Sequence, residues 1–153
     1  MLHVSVPTGE DLWLEHLVLD VNGTLTDRGR PIEAAARVLA ELRDELALHV
    51  LSADTFGTAE NVARELRAEF RRITSGNDKF NYVQRLGPHK CVAVGNGRND
   101  APMLKTAALG IAVIGPEGAH ARAVAAADVL TRSVEEALAL LADPRALTAT
   151  LRA

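Results

Sequence analysis

The 153-residue chain is 48% apolar, 24% charged and only 3% aromatic, which is typical of a soluble domain with an aliphatic core. Its net charge of −3 and its scarcity of stacking aromatics argue against nucleic acid or an anionic membrane as a partner. The single cysteine, Cys91, excludes an internal disulfide and a cysteine-based zinc cluster. Because the sequence shows neither a signal peptide nor a long apolar run, we expect one cytoplasmic domain spanning 1–153.

The chain begins with two apolar segments, "LHVSV" and "LWLEHLVLD", separated by the turn-forming "PTGED". We expect an N-terminal β-hairpin that leads into a first core strand ending at Asp20. "RGRPI" reads as a turn, and the apolar spacing in "EAAARVLAELRDEL" then predicts a helix over 33–46.

From residue 47 onward, predicted strands and helices alternate. The strands are "ALHVLS", "RRIT", "KCVAVG", "LGIAVIG" and "DVLT". The helices are "TAENVARELRAEF", "DKFNYVQRLG", "NDAPMLKTA", "EGAHARAVAAA" and "SVEEALALLAD", the last with Ser133 as its N-cap. This alternation predicts right-handed βαβ units and therefore an α/β fold, a Rossmann-like three-layer α/β/α sandwich with a parallel central sheet.

Polar residues follow four of the predicted strands. Asp20 ends the first and Ser52 the second, Lys79 follows the third after a short loop, and "GNGRND" (95–100) follows the fourth. Ligands of such sheets bind beyond the carboxyl ends of the strands, so we expect these four positions to form one site.

The segment "LDVNGTLTD" (19–27) has the residues that a phosphoryl acceptor needs. The Asp20 carboxylate could attack phosphorus, Gly23 would let the backbone approach a phosphate, and the Thr24 hydroxyl could bind its oxygens. The alternative is an ordinary strand-ending turn, since Asp, Asn and Gly are common in turns.

The segment "LSADTFGTA" (51–59) could bind a phosphate from the other side. The Ser52 hydroxyl and the backbone N–H groups from Ala53 onward would face the phosphoryl oxygens. Helix capping by Asp54, Thr55 or Thr58 accounts for the polarity of this loop equally well.

Lys79 could neutralise the negative charge of a phosphoryl group. Lys79 is one of three lysines, against 14 arginines, and a compact ammonium would offset the charge of a transferring phosphoryl group. An isolated lysine is nevertheless more often solvated.

Asn96 and Asp100 offer hard oxygen ligands for Mg²⁺. Alternatively, Asn99 caps the next helix and Asp100 complements its dipole, and both interpretations can hold together.

The order Asp20, Ser52, Lys79, Asp100 resembles the four motifs of the haloacid dehalogenase (HAD) superfamily of phosphohydrolases. The likeness is closer to the phosphorylation domain of P-type ATPases: "LSADTFGTA" resembles their "TGD" loop, and "VAVGNGRNDAPMLKTAALGIAV" their "GDGxNDxPAL" segment. It covers about 15–141, and the whole chain is similar to the soluble P-type ATPase-like phosphatases. The resemblance implies a HAD-like fold.

The resemblance also implies an activity: Mg²⁺-dependent hydrolysis of a small phosphorylated substrate through an aspartyl-phosphate on Asp20. The implied roles fall into three sets. The catalytic residues would be Asp20, Asn22, Ser52 and Lys79; the phosphate-binding residues Gly23, Thr24, Ser52, Ala53, Lys79 and Asn99; and the metal ligands Asp20, the backbone carbonyl of Asn22, Asn96 and Asp100.

The chain departs from the HAD pattern at two positions. Many relatives have an aspartate at the position of Asn22, as general acid and base, and another at Asn96, as a metal ligand; P-type ATPases have threonine at the first and still form the phosphoenzyme. A general acid or base contributes about 10²–10⁴-fold, so we expect a slow or leaving-group-selective enzyme, with Asp27 or Asp54 as surrogate acids. The alternative is a catalytically impaired phosphate-binding or regulatory module. A response-regulator receiver is disfavoured because receivers have no counterpart to "GNGRND".

The motif spacing bears on how the site is covered. Only 31 residues separate Asp20 from Ser52, and 26 separate Ser52 from Lys79. Neither interval can hold a nucleotide-binding domain or a large cap, so we expect a capless fold with an open site. A second copy of the chain could cover that site, which predicts a homo-oligomer.

Overall fold

The computed structural model describes residues 1–54 and 57–152. The strands are β1 (Leu2–Val4), β2 (Leu12–Leu14), β3 (His16–Asp20), β4 (Thr26–Asp27), β5 (Arg30–Pro31), β6 (Ala47–Ser52), β7 (Glu69–Arg72), β8 (Cys91–Gly95), β9 (Leu109–Val113) and β10 (Val129–Thr131). The helices are α1 (Glu33–Leu42), α2 (Thr58–Glu65), α3 (Gly76–Leu86), α4 (Ala101–Thr106), α5 (Ala121–Ala126), α6 (Val134–Ala142) and α7 (Pro144–Leu151). Short 3₁₀ turns lie at Pro88–Lys90 and Arg98–Asp100.

The central sheet has six parallel strands in the order β10-β9-β8-β3-β6-β7. The chain runs from β3 outward through β6 to β7, then crosses to β8 on the other side of β3 and continues outward to β10. The order therefore reverses between β3 and β8, and the crevice beyond the ends of these two strands is where such sheets bind ligands.

Alternate residues of each strand pack on opposite faces of the sheet. In β3, Leu17 and Leu19 belong to the core that includes Leu39 of α1 and Leu138 of α6, whereas Val18 packs in the core formed with α3, α4 and α5. Helices cover both faces, which confirms the predicted α/β/α architecture. The predicted N-terminal hairpin is also present, as the separate antiparallel pair β1 and β2.

Several helix boundaries differ from the prediction, and α1 ends at Leu42 rather than at Leu46. Helix α2 ends at Glu65 rather than continuing to Phe70, because Arg67 has φ +53° and the N–H of Ala68 donates to the carbonyl of Ala63. This is the hydrogen bond of a Schellman cap, formed here without the usual glycine. Helix α3 begins earlier than predicted because Ser75 caps it reciprocally with Asp78.

The segment between β9 and α5 differs most. The sequence predicts a helix from residue 117, but α5 begins only at Ala121. Gly115 and Gly118, with φ +47° and +73°, instead form a loop over 114–120. The tight hairpin of β4 and β5 replaces the simple turn expected at "RGRPI", and α7 is a helix that the sequence patterns did not predict. None of the helices in the described residues is long and apolar enough to cross a membrane.

Candidate active site

The predicted polar positions converge at the carboxyl end of the sheet. A pocket of about 180 Å³ opens there. It is lined by Asp20, Asn22, Ser52, Ala53, Asn96, Gly97, Asn99 and Glu117. The ends of β3, β6 and β8 and the loop after β9 all contribute to it, as the topology predicts.

Behind this pocket, Lys79 lies between two carboxylates. Its Nζ donates to Asp20 Oδ1 at 2.6 Å and to Asp100 Oδ1 at 2.5 Å. The lysine side chain is fully buried, so the alternative of a solvated surface lysine does not hold. Two carboxylates share one ammonium, and the cluster therefore has a net negative charge when all three groups are ionised.

The buried cluster perturbs its own ionisation. Burial raises the pKa of Asp20 to about 6 despite the opposing ammonium of Lys79, and the Asp100 carboxylate adds to the rise. For Lys79, burial favours the neutral form, but the two carboxylates outweigh it and raise the pKa. At neutral pH the lysine is therefore charged, and Asp20 is ionised enough to act as a nucleophile.

Asp100 organises the loop after β8. Its Oδ2 accepts the backbone N–H groups of Asn96 at 3.0 Å and Gly97 at 2.7 Å, while Oδ1 contacts Lys79. Both carboxylate oxygens are thus occupied, and the residue is fully buried. Asn99 does not cap α4, contrary to the capping alternative, and lies on the pocket wall.

The loop after β6 combines a pocket-lining residue with a helix cap. Ser52 lines the pocket and its Oγ accepts the N–H of Asp54 at 3.2 Å. The Asp54 carboxylate accepts N–H groups from Ala59 and Glu60 at the start of α2, as the capping interpretation predicts. Of the other two candidate caps, Thr58 is the first residue of α2, and Thr55 lies outside the described residues.

Thr24 and Gly23 have contacts other than the predicted ones. The Thr24 side chain is fully buried and its hydroxyl donates to Asn96 Oδ1 at 3.3 Å, so it supports the pocket wall rather than lining it. Gly23 has φ +77°, and a Cβ there would lie 2.5 Å from Asn96 Nδ2 and 2.9 Å from Glu117 Oε2. The structure thus requires glycine for close packing against these two side chains.

Comparison with known proteins identifies the family. The profile of the haloacid dehalogenase-like hydrolases matches residues 73–140, which include Lys79 and the loop after β8. An uncharacterised protein of Methanocaldococcus jannaschii is 44% identical over 63 residues, covering 41% of this chain and 68% of the archaeal protein. The chain belongs to the haloacid dehalogenase-like hydrolases.

Two further proteins show similarity to this HAD-like hydrolase. The zinc/cadmium/lead-transporting P-type ATPase of Shigella sonnei is 42% identical over 65 residues, covering 42% of this chain but only 9% of the transporter. The 3-deoxy-D-manno-octulosonate 8-phosphate phosphatase of Moraxella catarrhalis, whose structure contains magnesium, phosphate and KDO, has a TM-score of 0.70 and 19% identity. That match covers 90% of this chain and 92% of the phosphatase, and it establishes the HAD-like fold.

The donors around the pocket fit Mg²⁺ bound together with a phosphate. Asp20 and Asn96 both line the pocket, and no hydrogen bond within the described part of the chain reaches the carbonyl oxygen of Asn22. Residues 1–54 and 57–152 contain no group of three His, Cys, Asp or Glu side chains that could hold a metal. Mg²⁺ is commonly bound by one or two carboxylates together with phosphate oxygens and water. A site whose candidate ligands include the single carboxylate of Asp20 fits this pattern.

The sequence patterns did not indicate Glu117 as a member of the HAD pocket. They predict a helix at this residue, whereas it lies in the loop after β9 and lines the pocket with Asp20 and Asn22. The predicted surrogate acids, Asp27 and Asp54, do not line it. The two glycines in "GPEG" were the available signal, since Gly on both sides of a short polar segment favours a loop.

Substituting Gly23 should destabilise the protein more than substituting a glycine with similar backbone geometry and free space. Gly29 has φ +82°, and a Cβ added there would meet no atom within 4 Å, so Gly29→Ala isolates backbone strain, at about 1 kcal/mol. Gly23→Ala adds the contacts with Asn96 and Glu117, and we expect a loss of about 2–4 kcal/mol. Urea unfolding measures both; equal losses would show that the close packing at Gly23 has no energetic consequence.

Proposed function

We propose that this protein is a Mg²⁺-dependent phosphohydrolase that acts through an aspartyl-phosphate on Asp20. The observation that carries the proposal is the buried arrangement of Lys79 between Asp20 and Asp100, directly behind a small polar pocket. The buried Lys79 ammonium orients the Asp20 carboxylate and partly neutralises its negative charge. Both effects suit a carboxylate that attacks a phosphoryl group.

In the first half-reaction, Asp20 attacks phosphorus and the leaving group departs with the electrons of its bond to phosphorus. Lys79 holds Oδ1 of Asp20, which fixes the orientation of the carboxylate and leaves its second oxygen for attack. Ser52 and Ala53 line the pocket, and in this mechanism the Ser52 hydroxyl and the Ala53 N–H bind the phosphoryl oxygens. A bound Mg²⁺, held by Asp20, the Asn22 carbonyl and Asn96, would supply charge neutralisation on those oxygens.

The contacts of Asp100 indicate how the two candidate metal ligands of this loop divide their roles. Both Asp100 oxygens are occupied by Lys79 and by backbone N–H groups, whereas Asn96 lines the pocket. We therefore assign the direct ligand to Asn96 and the positioning role to Asp100.

The substrate is a small phosphorylated molecule with a good leaving group. Asn22 has no proton to donate to a departing alkoxide, and a general acid usually contributes about 10²–10⁴-fold. Acyl, aryl and nucleotide phosphates leave without such help. The Moraxella catarrhalis phosphatase, which has a similar fold, acts on 3-deoxy-D-manno-octulosonate 8-phosphate. This similarity and the small volume of the pocket support a small-molecule substrate.

Restoring the missing carboxylate should test this assignment. We expect Asn22→Asp to increase turnover of an alkyl phosphate by roughly 10²-fold or more, with a much smaller effect on an aryl phosphate, because only the alkoxide needs a proton. Hydrolysis of both substrates, with and without Mg²⁺, measures the effect. Asn61→Asp, on the exposed side of α2, adds the same charge away from the pocket and serves as the control.

Three outcomes would count against the proposal. Equal gains for both substrates would refute an acid role at position 22. Hydrolysis independent of Mg²⁺ would refute the metal requirement. No hydrolysis of any phosphate, together with tight phosphate binding, would instead favour a catalytically impaired binding module.

A further inference from the structure

The loop over 114–120 is attached to the residues around Asp20 by several contacts. The side-chain Nδ2 of Asn96 donates to the carbonyl of Gly118 at 3.0 Å, and the N–H of His120 donates to the carbonyl of Asn96 at 2.8 Å. Gly115 packs closely against the turn after β3, where its Cβ position would lie 2.8 Å from the carbonyl oxygen of Gly23. The loop thus has a defined position beside the pocket.

These contacts place the carboxylate of Glu117 in the pocket. Its Oε2 lies 2.9 Å from the point that a Cβ atom would occupy at Gly23. The side chain lines the pocket with Asp20 and Asn22. It makes no hydrogen bond or ion pair within the described residues and is exposed. It therefore remains available to bind a water molecule or another pocket ligand.

We propose that Glu117 is the general base that activates water for hydrolysis of the aspartyl-phosphate. This inference rests on the proposed function, since it concerns the second half-reaction of the same site. The Glu117 carboxylate takes a proton from water while the water oxygen bonds to phosphorus. The bond between phosphorus and Asp20 breaks, its electrons return to the Asp20 carboxylate, and inorganic phosphate leaves; the proton on Glu117 then passes to solvent.

No other carboxylate near the site, within the part of the chain that the structure describes, is equally suited to this step. The Asp100 carboxylate is buried with both oxygens bonded, and that of Asp54 caps α2. Asp27 does not line the pocket, and the amide of Asn22 is not basic. Among the residues lining this pocket, Asp20 and Glu117 are the two carboxylates, and Asp20 becomes the phosphoryl acceptor.

The test compares Glu117→Gln with the native protein in Mg²⁺ and an aryl phosphate. The initial burst of aryl alcohol gives the rate at which the phosphoenzyme forms. Acid quenching gives the amount of phosphoprotein, and the steady-state rate reports its hydrolysis. We expect an unchanged burst rate, a steady-state rate lower by roughly 10²–10⁴-fold, and accumulation of phosphoprotein. Adding Asn22→Asp to the variant should restore part of the turnover, because the new carboxylate can accept the proton.

Glu41→Gln is the matched control, since Glu41 is exposed on α1 and does not line the pocket. Unaltered turnover in Glu117→Gln would overturn the inference. So would a slower burst that excess Mg²⁺ restores, because that result assigns Glu117 to metal binding. If the native protein and the variant both hydrolyse substrate without any phosphoprotein, the aspartyl-phosphate route itself is wrong, and the inference fails with it.

Discussion

Replacing Asp20 with asparagine should reduce phosphohydrolysis by roughly 10⁴–10⁶-fold, the range expected when a covalent nucleophile is removed. The amide has nearly the same shape as the carboxylate, but it lacks the negative charge that attacks phosphorus. Steady-state hydrolysis of an aryl phosphate, compared under identical Mg²⁺ concentrations, measures the loss. Activity within tenfold of native would refute the assignment of Asp20.

The Asp20→Asn protein should remain folded, which makes the loss of activity interpretable. Lys79 keeps its contact with Asp100, so the ammonium is not left without a partner. Burial raises the pKa of Asp20 to about 6, so the buried carboxylate destabilises the folded state at neutral pH. A neutral amide at this position removes that cost. We therefore expect a melting temperature equal to the native value or higher.

Replacing Lys79 with methionine should cause the largest loss of stability. The substitution leaves Asp20 and Asp100 buried near each other without a neutralising cation, and breaking a buried ion pair in this way costs about 3–5 kcal/mol. It should also abolish activity, because Asp20 loses the contact that orients it. Chemical unfolding gives the free energy, and hydrolysis gives the activity.

The pH dependence of stability and a matched variant distinguish this electrostatic effect of Lys79→Met from a loss of side-chain packing. Removing the ammonium raises the pKa of Asp20 further. A carboxyl whose pKa is raised in the folded state stabilises the protein as the pH falls through that pKa. Acidification should therefore recover part of the deficit of Lys79→Met. Lys105→Met, on the exposed face of α4, should leave stability unchanged. A deficit independent of pH would contradict the electrostatic account.

The sequence predicted the central part of the fold because its patterns are local and repeated. The apolar segment Ala47–Ser52 is a strand over the predicted residues, and the alternation of strands and helices required a parallel sheet. Parallel strands present their carboxyl ends at one edge, so the convergence of Asp20, Ser52 and the loop after β8 followed from topology.

Long-range contacts explain what the sequence did not predict. The early end of α2 depends on a positive φ at Arg67, and arginine, unlike glycine or asparagine, rarely adopts that conformation. The burial of Lys79 depends on two carboxylates that lie 59 and 21 residues away in the chain. Local composition favours a helix at Glu117, whereas contacts from Asn96 hold its loop beside the pocket.

Reductive trapping tests the central claim most directly. Borohydride reduces an aspartyl-phosphate to homoserine, so reacting the protein with an aryl phosphate and Mg²⁺, quenching with borohydride and sequencing the peptides by mass spectrometry locates the phosphorylated residue. An aspartyl-phosphate mechanism on Asp20 predicts homoserine at position 20 and at no other aspartate. Homoserine at a different position, or phosphate retained on Ser52, would contradict it.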